Sequence, residues 1–175
     1  MWLSTARRTP VWLPDTGDKA RLLALCALVA ADSQVTVYDT KYEYNFWRPY
    51  TAIREGDNDG NPDTIGDAGW TPFLTTPPYP DHTSGANNIT GGITTILQLF
   101  FGTDHFEFSV SSPNAGLVTN PRHFTRFSDA AQEVVDVRIL QGIHFRRADE
   151  LGRLQGSRVA HWTLQKFLRP IPGTH

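Results

Sequence analysis

Apolar residues recur at helical spacing in four stretches of the chain, and segments rich in proline and glycine lie between them. The first stretch follows Asp18, which is a suitable N-cap for a helix that starts near Lys19. Its apolar run from Leu22 to Ala31 wraps more than one face, as a well-buried helix does. The β-branched residues at 35–37 weaken helix propensity, so a break there stays open, and Pro49 predicts that the helix ends before it.

The middle of the chain predicts a loop, a helix and a short strand. Residues 54–80 are rich in proline and glycine and predict a long ordered loop, which is uncommon in a compact domain and usually functional. From Ile89 to Phe100 the apolar residues fall at i, i+4, i+7, i+8 and i+11, which predicts an amphipathic helix ending near Gly102. The alternating Phe106 and Phe108 indicate a short strand.

The last two apolar stretches predict the third and fourth helices. Ser128 is the predicted cap of the third helix, Asp129 lies in its first turn, and Gly142 ends it. The fourth helix runs from about residue 147 to 168 and stops before Pro170. Four helices joined by long connections predict an all-α fold of the helical-bundle type.

The length of 175 residues suits one domain with its own core, so we expect a single domain over residues 1–175 with an irregular N-terminus at 1–17. Because Met1 leads almost directly into a core-like helix, it stays open that the chain is a fragment of a longer protein. The apolar run at 22–31 is shorter than the ~20 residues that span a bilayer. We therefore expect no transmembrane segment and no signal peptide, and we assign no cellular location.

Composition restricts the partners that we expect. The net charge of −2 gives no reason to expect nucleic acid or a membrane surface, so any attraction to anions must come from a local cationic pocket. Cys26 is the only cysteine and lies in the apolar run, so we expect a small core residue without a disulfide. Homo-oligomerisation stays open.

Three separated segments carry groups that suit one multiply charged oxyanion. Lys41 and Arg48 are seven residues apart, so on a helix both point to one face, ~10 Å apart along the axis. Ser84 and Gly85 directly precede a predicted helix, where free N–H groups and a partial positive charge hold anions well. The plainer interpretations are a solvated basic face and simple capping of the helix by Thr83 or Ser84.

The third segment joins an arginine and a histidine across a turn. Arg138 lies in the last turn of the third predicted helix, and His144 follows Gly142. A guanidinium binds oxyanions as a planar fork, and an imidazole nitrogen can bond a metal centre or attack phosphorus. The alternative is a purely structural histidine.

In this order the segments 41–49, 80–86 and 138–144 resemble the superfamily of vanadium-dependent haloperoxidases and type 2 phosphatidic acid phosphatases. The superfamily pattern is Lys–x6–Arg–Pro, then Pro–Ser–Gly–His, then Ser–Arg–x5–His. The first motif is intact, and the third lacks only its leading serine, here Val137. The resemblance covers roughly residues 20–168, is closest to the soluble haloperoxidase branch, and implies the C-terminal half of that branch's helical catalytic domain.

The resemblance also implies roles for these residues. His144 would be the axial ligand of vanadate, or the nucleophile in a phosphatase. The oxygens of the vanadate or phosphate would be bound by Lys41, Arg48, Ser84, Gly85 and Arg138. Hydrogen peroxide and halide would then be the small-molecule substrates.

The second motif departs from the superfamily pattern. Ala86 stands where the acid–base histidine is expected, and Thr83 stands in place of proline. Because general acid–base catalysis contributes about 10²- to 10⁴-fold, an oxyanion site could survive here with impaired chemistry. His82 lies nearby and could substitute, although it precedes the turn.

The sequence therefore predicts a vanadate-dependent haloperoxidase and leaves two alternatives open. One is a soluble acid phosphatase that uses the same pocket for phosphomonoesters. The other is a non-catalytic oxyanion-binding domain, which Ala86 favours.

Overall fold

Four long helices make up most of the described chain, as the all-α prediction requires. The computed structural model describes residues 15–113 and 121–169. A short 3-10 turn, Gly56–Asn58, lies within the long loop before the second long helix. The elements in chain order are α1 (Thr16–Tyr44), α2 (Pro49–Arg54), α3 (Gly85–Phe101), β1 (His105–Val110), β2 (Arg122–Arg126), α4 (Phe127–Leu140) and α5 (Arg146–Lys166).

Helix α1 is longer and less interrupted than predicted. It begins at Thr16 behind Asp15, so Asp18 is not the N-cap and lies in the first turn, where an acid favours the helix dipole. The helix continues through residues 35–37 without a break. Of the predicted irregular N-terminus at 1–17, Thr16 and Gly17 are thus helical, Asp15 precedes the helix, and residues 1–14 lie outside the described residues.

The core lies between α1, α3 and α5, with the start of α4 closing one end. Cys26 is buried in it, as predicted, and burial raises the pKa of its thiol to about 12, which suits a packing role. The buried members of the cluster are Leu22, Leu25, Cys26, Val29, Ile93, Ile96, Leu97, Phe127 and Ala160.

Helices α3 and α5 cross with their backbones in close contact. A Cβ atom placed on Gly152 would lie 2.6 Å from the carbonyl oxygen of Ser84, and one on Gly156 would clash with the carbonyl of Asn88. Only glycine permits this approach. The crossing therefore fixes the position of Ser84 at the N-terminus of α3.

A β-hairpin covers one end of the core. Strand β1 contains the predicted strand at Phe106 and Phe108, and it pairs antiparallel with β2, which the sequence did not predict. Phe108 lies opposite Phe124 in the register, and both rings stack. The residues between the strands from 114 to 120 lie outside the described residues.

Ser128 is not the cap of α4. The helix begins one residue earlier, at Phe127, and the carboxylate of Asp104 accepts hydrogen bonds from the Ser128 N–H at 2.9 Å and hydroxyl at 2.6 Å. The predicted ends at Gly102 and Gly142 agree with the structure, because both glycines adopt positive φ just past a helix.

Among the described residues, one segment is long and apolar enough to cross a membrane by length and composition, Thr16–Arg54. This segment is longer than the apolar run at 22–31 on which the expectation of no transmembrane segment rested. A core helix has the same composition, and α1 supplies Leu22, Leu25 and Val29 to the core. The finding alone therefore assigns no membrane.

Candidate oxyanion site

His144 and Asp81 form a buried pair at the centre of the candidate site. The Nδ1 atom of His144 lies 2.6 Å from Oδ1 of Asp81, and the two side chains are 2% and 1% exposed. The Asp81 N–H donates to the carbonyl of Phe46, which ties the segment before α3 to the end of α1. An imidazole that donates from Nδ1 carries its lone pair on Nε2.

Arg48 lies beside Nε2 of His144. Its Nη1 atom is 3.5 Å from Nε2 of His144 and donates to the carbonyl of Ile143 at 2.7 Å, while its Nε donates to the carbonyl of Tyr79 at 2.8 Å. Pro49 opens α2 directly after it, as a proline at N1 can, so Arg48 sits in extended backbone between two helices. The buried guanidinium therefore joins the turn before α5 to the loop before α3.

Lys41 reaches the same loop from α1. Its Nζ atom donates to the carbonyls of Pro80 at 2.7 Å and Asp81 at 2.9 Å, and the residue is 1% exposed. Burial, and then the nearby charge of Arg48, lower the pKa of Lys41 to about 8. An ammonium has three donors, so one remains for a ligand.

The ring of Tyr79 packs against both of these cations. Its centroid lies 5.3 Å from Nζ of Lys41 and 5.0 Å from Cζ of Arg48. A cation over an aromatic face is stabilised by the ring quadrupole, and the more so where water is excluded. Tyr79 thus helps to hold two like charges close together.

Arg138 contributes the third cation from the last turn of α4. Its Nη1 donates to the Gln141 side chain at 3.3 Å, and its buried Nε has no partner among the described residues. Burial lowers the pKa of Arg138, and its charge also lowers those of Lys41 and His144. The three predicted cations therefore lie in one electrostatic cluster.

Ser84 and Gly85 form the N-terminus of α3. Ser84 is fully buried and its N–H donates to the Ala148 carbonyl at 2.9 Å. A Cβ on Gly85 would meet only Val37, at the ordinary contact distance of 3.6 Å, so protein packing does not demand a glycine there. Within the described chain, no backbone carbonyl accepts the N–H of Gly85, Ala86 or Asn87, which leaves a helix N-terminus open to an anion.

The hydroxyl of Ser84 belongs to a buried polar group. Asn87 donates from Nδ2 to the Ser84 Oγ at 3.3 Å and to Oδ1 of Asp149 at 2.7 Å. Asp149 lies in the first turn of α5 and is fully buried. Burial raises its pKa to about 6.

The imidazole of His144 is kept neutral by its surroundings. Burial lowers its pKa, the hydrogen bond to Asp81 opposes this, and the charges of Arg48 and Arg138 lower it again. The net direction is downward, so Nε2 holds a lone pair near neutral pH. A neutral Nε2 amid three cations and open backbone N–H groups can bond the central atom of an oxyanion while its neighbours bind the oxygens.

Ala86 lies in α3, whereas His82 lies before that helix. Ala86 is the second residue of α3 and is half-buried. The His82 ring packs edge-on against Tyr44 at 5.4 Å, in an aromatic cavity of about 370 Å³ that Asp81 also lines. Burial lowers the pKa of His82.

Sequence reasoning missed the two buried acids of the site. Asp81 directly precedes His82 and the serine–glycine turn, so an acid adjacent to the motif was a usable signal. Asp149 gave none, because an acid in the first turn of a helix is ordinarily explained by the helix dipole.

Comparisons with known proteins are consistent with this geometry. The family model described as the VCPO second helical-bundle domain matches residues 21–173. The vanadium chloroperoxidase of Curvularia inaequalis is 30% identical over 97 residues, which are 50% of this chain and 15% of that protein.

Solved structures extend the similarity over nearly the whole chain. A bacterial vanadium-dependent iodoperoxidase superposes with a TM-score of 0.78 at 29% identity, covering 95% of this chain and 38% of that one. An apo-type bacterial vanadium-dependent chloroperoxidase shares the fold, with a TM-score of 0.68 at 17% identity over 85% of this chain and 37% of that one. The chain thus spans less than two fifths of the length of these relatives.

Proposed function

Because the chain belongs to the VCPO second helical-bundle domain family of the vanadium haloperoxidases, we propose that it forms the oxyanion-binding part of a vanadate-dependent haloperoxidase. The observation that carries the proposal is the buried imidazole of His144. Its Nδ1 is engaged by Asp81 at 2.6 Å and its Nε2 lies 3.5 Å from Arg48. Such a nitrogen is a preformed ligand.

The residues present fit vanadate or phosphate. The Nε of Arg138 is buried without a partner among the described residues, and Lys41 has one donor beyond its two carbonyl bonds. Gly85 leaves room beside its backbone N–H. Unsatisfied buried donors are costly, so an oxyanion that accepts from them stabilises the site.

Each residue has a binding task in the proposal. Lys41, Arg48 and Arg138 would neutralise the anion, Ser84 and the Gly85 N–H would donate to its oxygens, and His144 Nε2 would be the ligand of its central atom. Vanadate, when bound, supplies the Lewis-acid centre at which hydrogen peroxide is activated to oxidise a halide. The protein binds, orients and polarises, and its small-molecule partners are peroxide and halide.

Proton movement is the weak point of the site. Alanine at position 86 has no proton to transfer, and the His82 ring lies in the aromatic cavity against Tyr44. We therefore expect oxyanion binding at full strength and peroxidase turnover reduced by about 10²- to 10⁴-fold relative to a site with an acid–base group. If turnover is lost entirely, the chain is a non-catalytic oxyanion-binding domain.

A phosphomonoesterase is the second candidate, and the Asp81–His144 pair favours it. An imidazole oriented by a carboxylate is a competent nucleophile toward phosphorus. The same cations would bind the phosphoryl oxygens. The two candidates share a binding site and differ in substrate.

Thermal unfolding with and without millimolar vanadate tests the shared site. A ligand that binds only the native state raises the free energy of unfolding, by about 2.7 kcal/mol at a hundred times its Kd. We expect Tm to rise in the parent chain and in the control Arg158→Ala, whose side chain is exposed. Arg138→Ala should lose the rise. An unchanged Tm in the parent chain would contradict both candidates.

Activity assays on the same preparation separate the candidates. Halide-dependent oxidation by hydrogen peroxide after vanadate loading supports the peroxidase. Hydrolysis of an aryl phosphate that vanadate inhibits supports the phosphatase. Binding without either activity identifies a non-catalytic oxyanion-binding domain.

A further inference from the structure

A buried carboxylate stands among the cations of the oxyanion site. Asp149 is fully buried, and its charge acts on Lys41, Arg48 and Arg138 alike. None of the motifs that predicted the site includes it. A negative charge beside an anion pocket needs a reason, because it repels the ligand that the cations attract.

One oxygen of this carboxylate is firmly held and the other is free. Asn87 donates to Oδ1 at 2.7 Å, whereas Oδ2 is buried without a hydrogen-bond partner among the described residues. Asn87 also bonds Ser84, so it fixes the carboxylate next to the N-terminus of α3. A buried carboxylate oxygen without a donor is costly, and the natural remedy is a ligand that donates a proton to it.

We propose that Asp149 makes the site selective for oxyanions that carry a proton, so that hydrogenphosphate and protonated vanadate bind and sulfate is rejected. The inference rests on the proposed oxyanion site and adds its ligand class. An ionised carboxylate can only accept a hydrogen bond. A protonated oxyanion supplies the donor. Sulfate would instead place an unprotonated, negatively charged oxygen against Oδ2, and the repulsion between the two oxygens would disfavour its binding.

Phosphate and sulfate form a matched pair for the test. At about pH 8 phosphate is mainly HPO₄²⁻, with the same charge and shape as sulfate and one additional proton. The pKa of about 6 for Asp149 leaves its carboxylate ionised there. Any difference in affinity therefore reports the proton and not the charge.

Titration calorimetry of the parent chain with each anion gives the first result. We expect phosphate to bind at least about tenfold more tightly than sulfate, since one hydrogen bond to a charged group is at stake. Equal affinities would overturn the inference and leave the oxyanion site standing. Binding of neither anion would overturn the site itself, and the inference with it.

Asp149→Asn assigns the selectivity to this residue. The amide keeps the shape and can donate to sulfate, so the ratio of affinities should fall toward one. In the control Asp104→Asn, which removes a hydrogen-bonded acid that Ser128 engages outside the cluster, the ratio should stay at the parent value. If Asp149 only balanced the cations, both anions would gain affinity together and the ratio would not move, which would overturn the proposal.

Discussion

The Nδ1 atom of His144 lies 2.6 Å from Oδ1 of Asp81, and this contact leaves the lone pair of the imidazole on Nε2. The Asp81 backbone is held on both sides, because its N–H donates to Phe46 and its carbonyl accepts from Lys41. The carboxylate that orients the imidazole is therefore built into the same loop that positions the first cation. The affinity of the site for an oxyanion should therefore depend on the Asp81 carboxylate.

Asp81→Asn should weaken vanadate binding about 10- to 100-fold, which is the usual cost of losing the carboxylate behind a ligating histidine. The amide can keep the loop in place but no longer stabilises the tautomer with a free Nε2 as strongly. The measurement is the vanadate Kd, read from the concentration dependence of Tm. Asp136→Asn is the matched control, because Asp136 is exposed. A parent-like Kd in Asp81→Asn would show that the pair is structural.

Gly85→Ala and Gly156→Ala should separate ligand binding from packing. A methyl at position 85 meets only Val37 at 3.6 Å, so the fold should tolerate it. It would however stand beside the backbone N–H that an oxyanion approaches, and we expect affinity for phosphate to fall about tenfold or more.

Gly156→Ala should instead lower stability, because position 156 lies in the core packing and not at the anion site. A methyl at position 156 would clash with the Asn88 carbonyl at the α3–α5 crossing, which should lower the free energy of unfolding by about 1–3 kcal/mol. Chemical denaturation and calorimetry on both variants provide the comparison. Loss of stability in Gly85→Ala without loss of affinity would mean that the glycine serves the fold.

Phosphate affinity should fall as the pH rises through and above about 8. Lys41 loses its charge there, because burial and Arg48 lower its pKa to about 8. Phosphate keeps its charge from about pH 8 to 10, so the decline reports the protein. In Lys41→Arg the guanidinium stays charged, and affinity should be nearly constant over the same range. A parallel decline in both proteins would exclude Lys41 as the titrating group.

The free energy of unfolding should depend on pH through Lys41 in the opposite direction to phosphate affinity. Its pKa is 10.5 in the unfolded chain and about 8 in the folded one, so the unfolded state binds more protons between these values. The free energy of unfolding should therefore rise with pH across that window, by at most about 3 kcal/mol. Denaturation of the parent chain and of Lys41→Arg at pH values of about 7, 8 and 10 measures it. An equal change in both proteins would contradict the assignment.

The helices could be predicted from the sequence because they depend on the local spacing of apolar residues, whereas the oxyanion site stays a prediction that rests on three short motifs. Lys41 and Arg48 are seven residues apart, and Arg138 and His144 are six apart. The predicted shared helix face of Lys41 and Arg48 was wrong, because α1 ends at Tyr44 and Arg48 lies in extended backbone beyond it.

The ends of the helices were predicted less accurately. Asp15 and Asp18 can both cap a helix, so the sequence does not determine which of them precedes α1. Strand β2 was missed because nearly all its residues are exposed on both faces, so it shows no alternation of burial.

The acids of the site depend on tertiary structure. Asp81 reaches His144 across 63 residues of sequence, and Asp149 reaches Asn87 across 62. Both contacts require the close crossing of α3 and α5 and the return of the long loop to the end of α1. Neither relationship follows from spacing alone.

Ala86→His should raise peroxide-dependent halide oxidation without much change in vanadate affinity. Position 86 lies on the first turn of α3, one residue beyond Gly85. The three cations and Ser84 act on charge that is present in the ground state, whereas an imidazole here would act mainly on proton movement in the transition state. We expect turnover to rise about tenfold to a thousandfold, measured by halide oxidation alongside the vanadate Kd.

The variant His82→Ala decides whether the parent chain already has an acid–base group. The His82 ring packs against Tyr44 in the aromatic cavity, with a lowered pKa, so we expect its removal to leave turnover unchanged both in the parent chain and beside Ala86→His. If His82→Ala alone abolishes the activity of the parent chain, His82 is the working acid–base group. If Ala86→His binds vanadate with parent-like affinity and stays inactive, the peroxidase proposal loses its mechanism. The phosphatase and the non-catalytic oxyanion-binding domain then become the better explanations of the same pocket, because both need only the cations, Ser84 and the oriented imidazole.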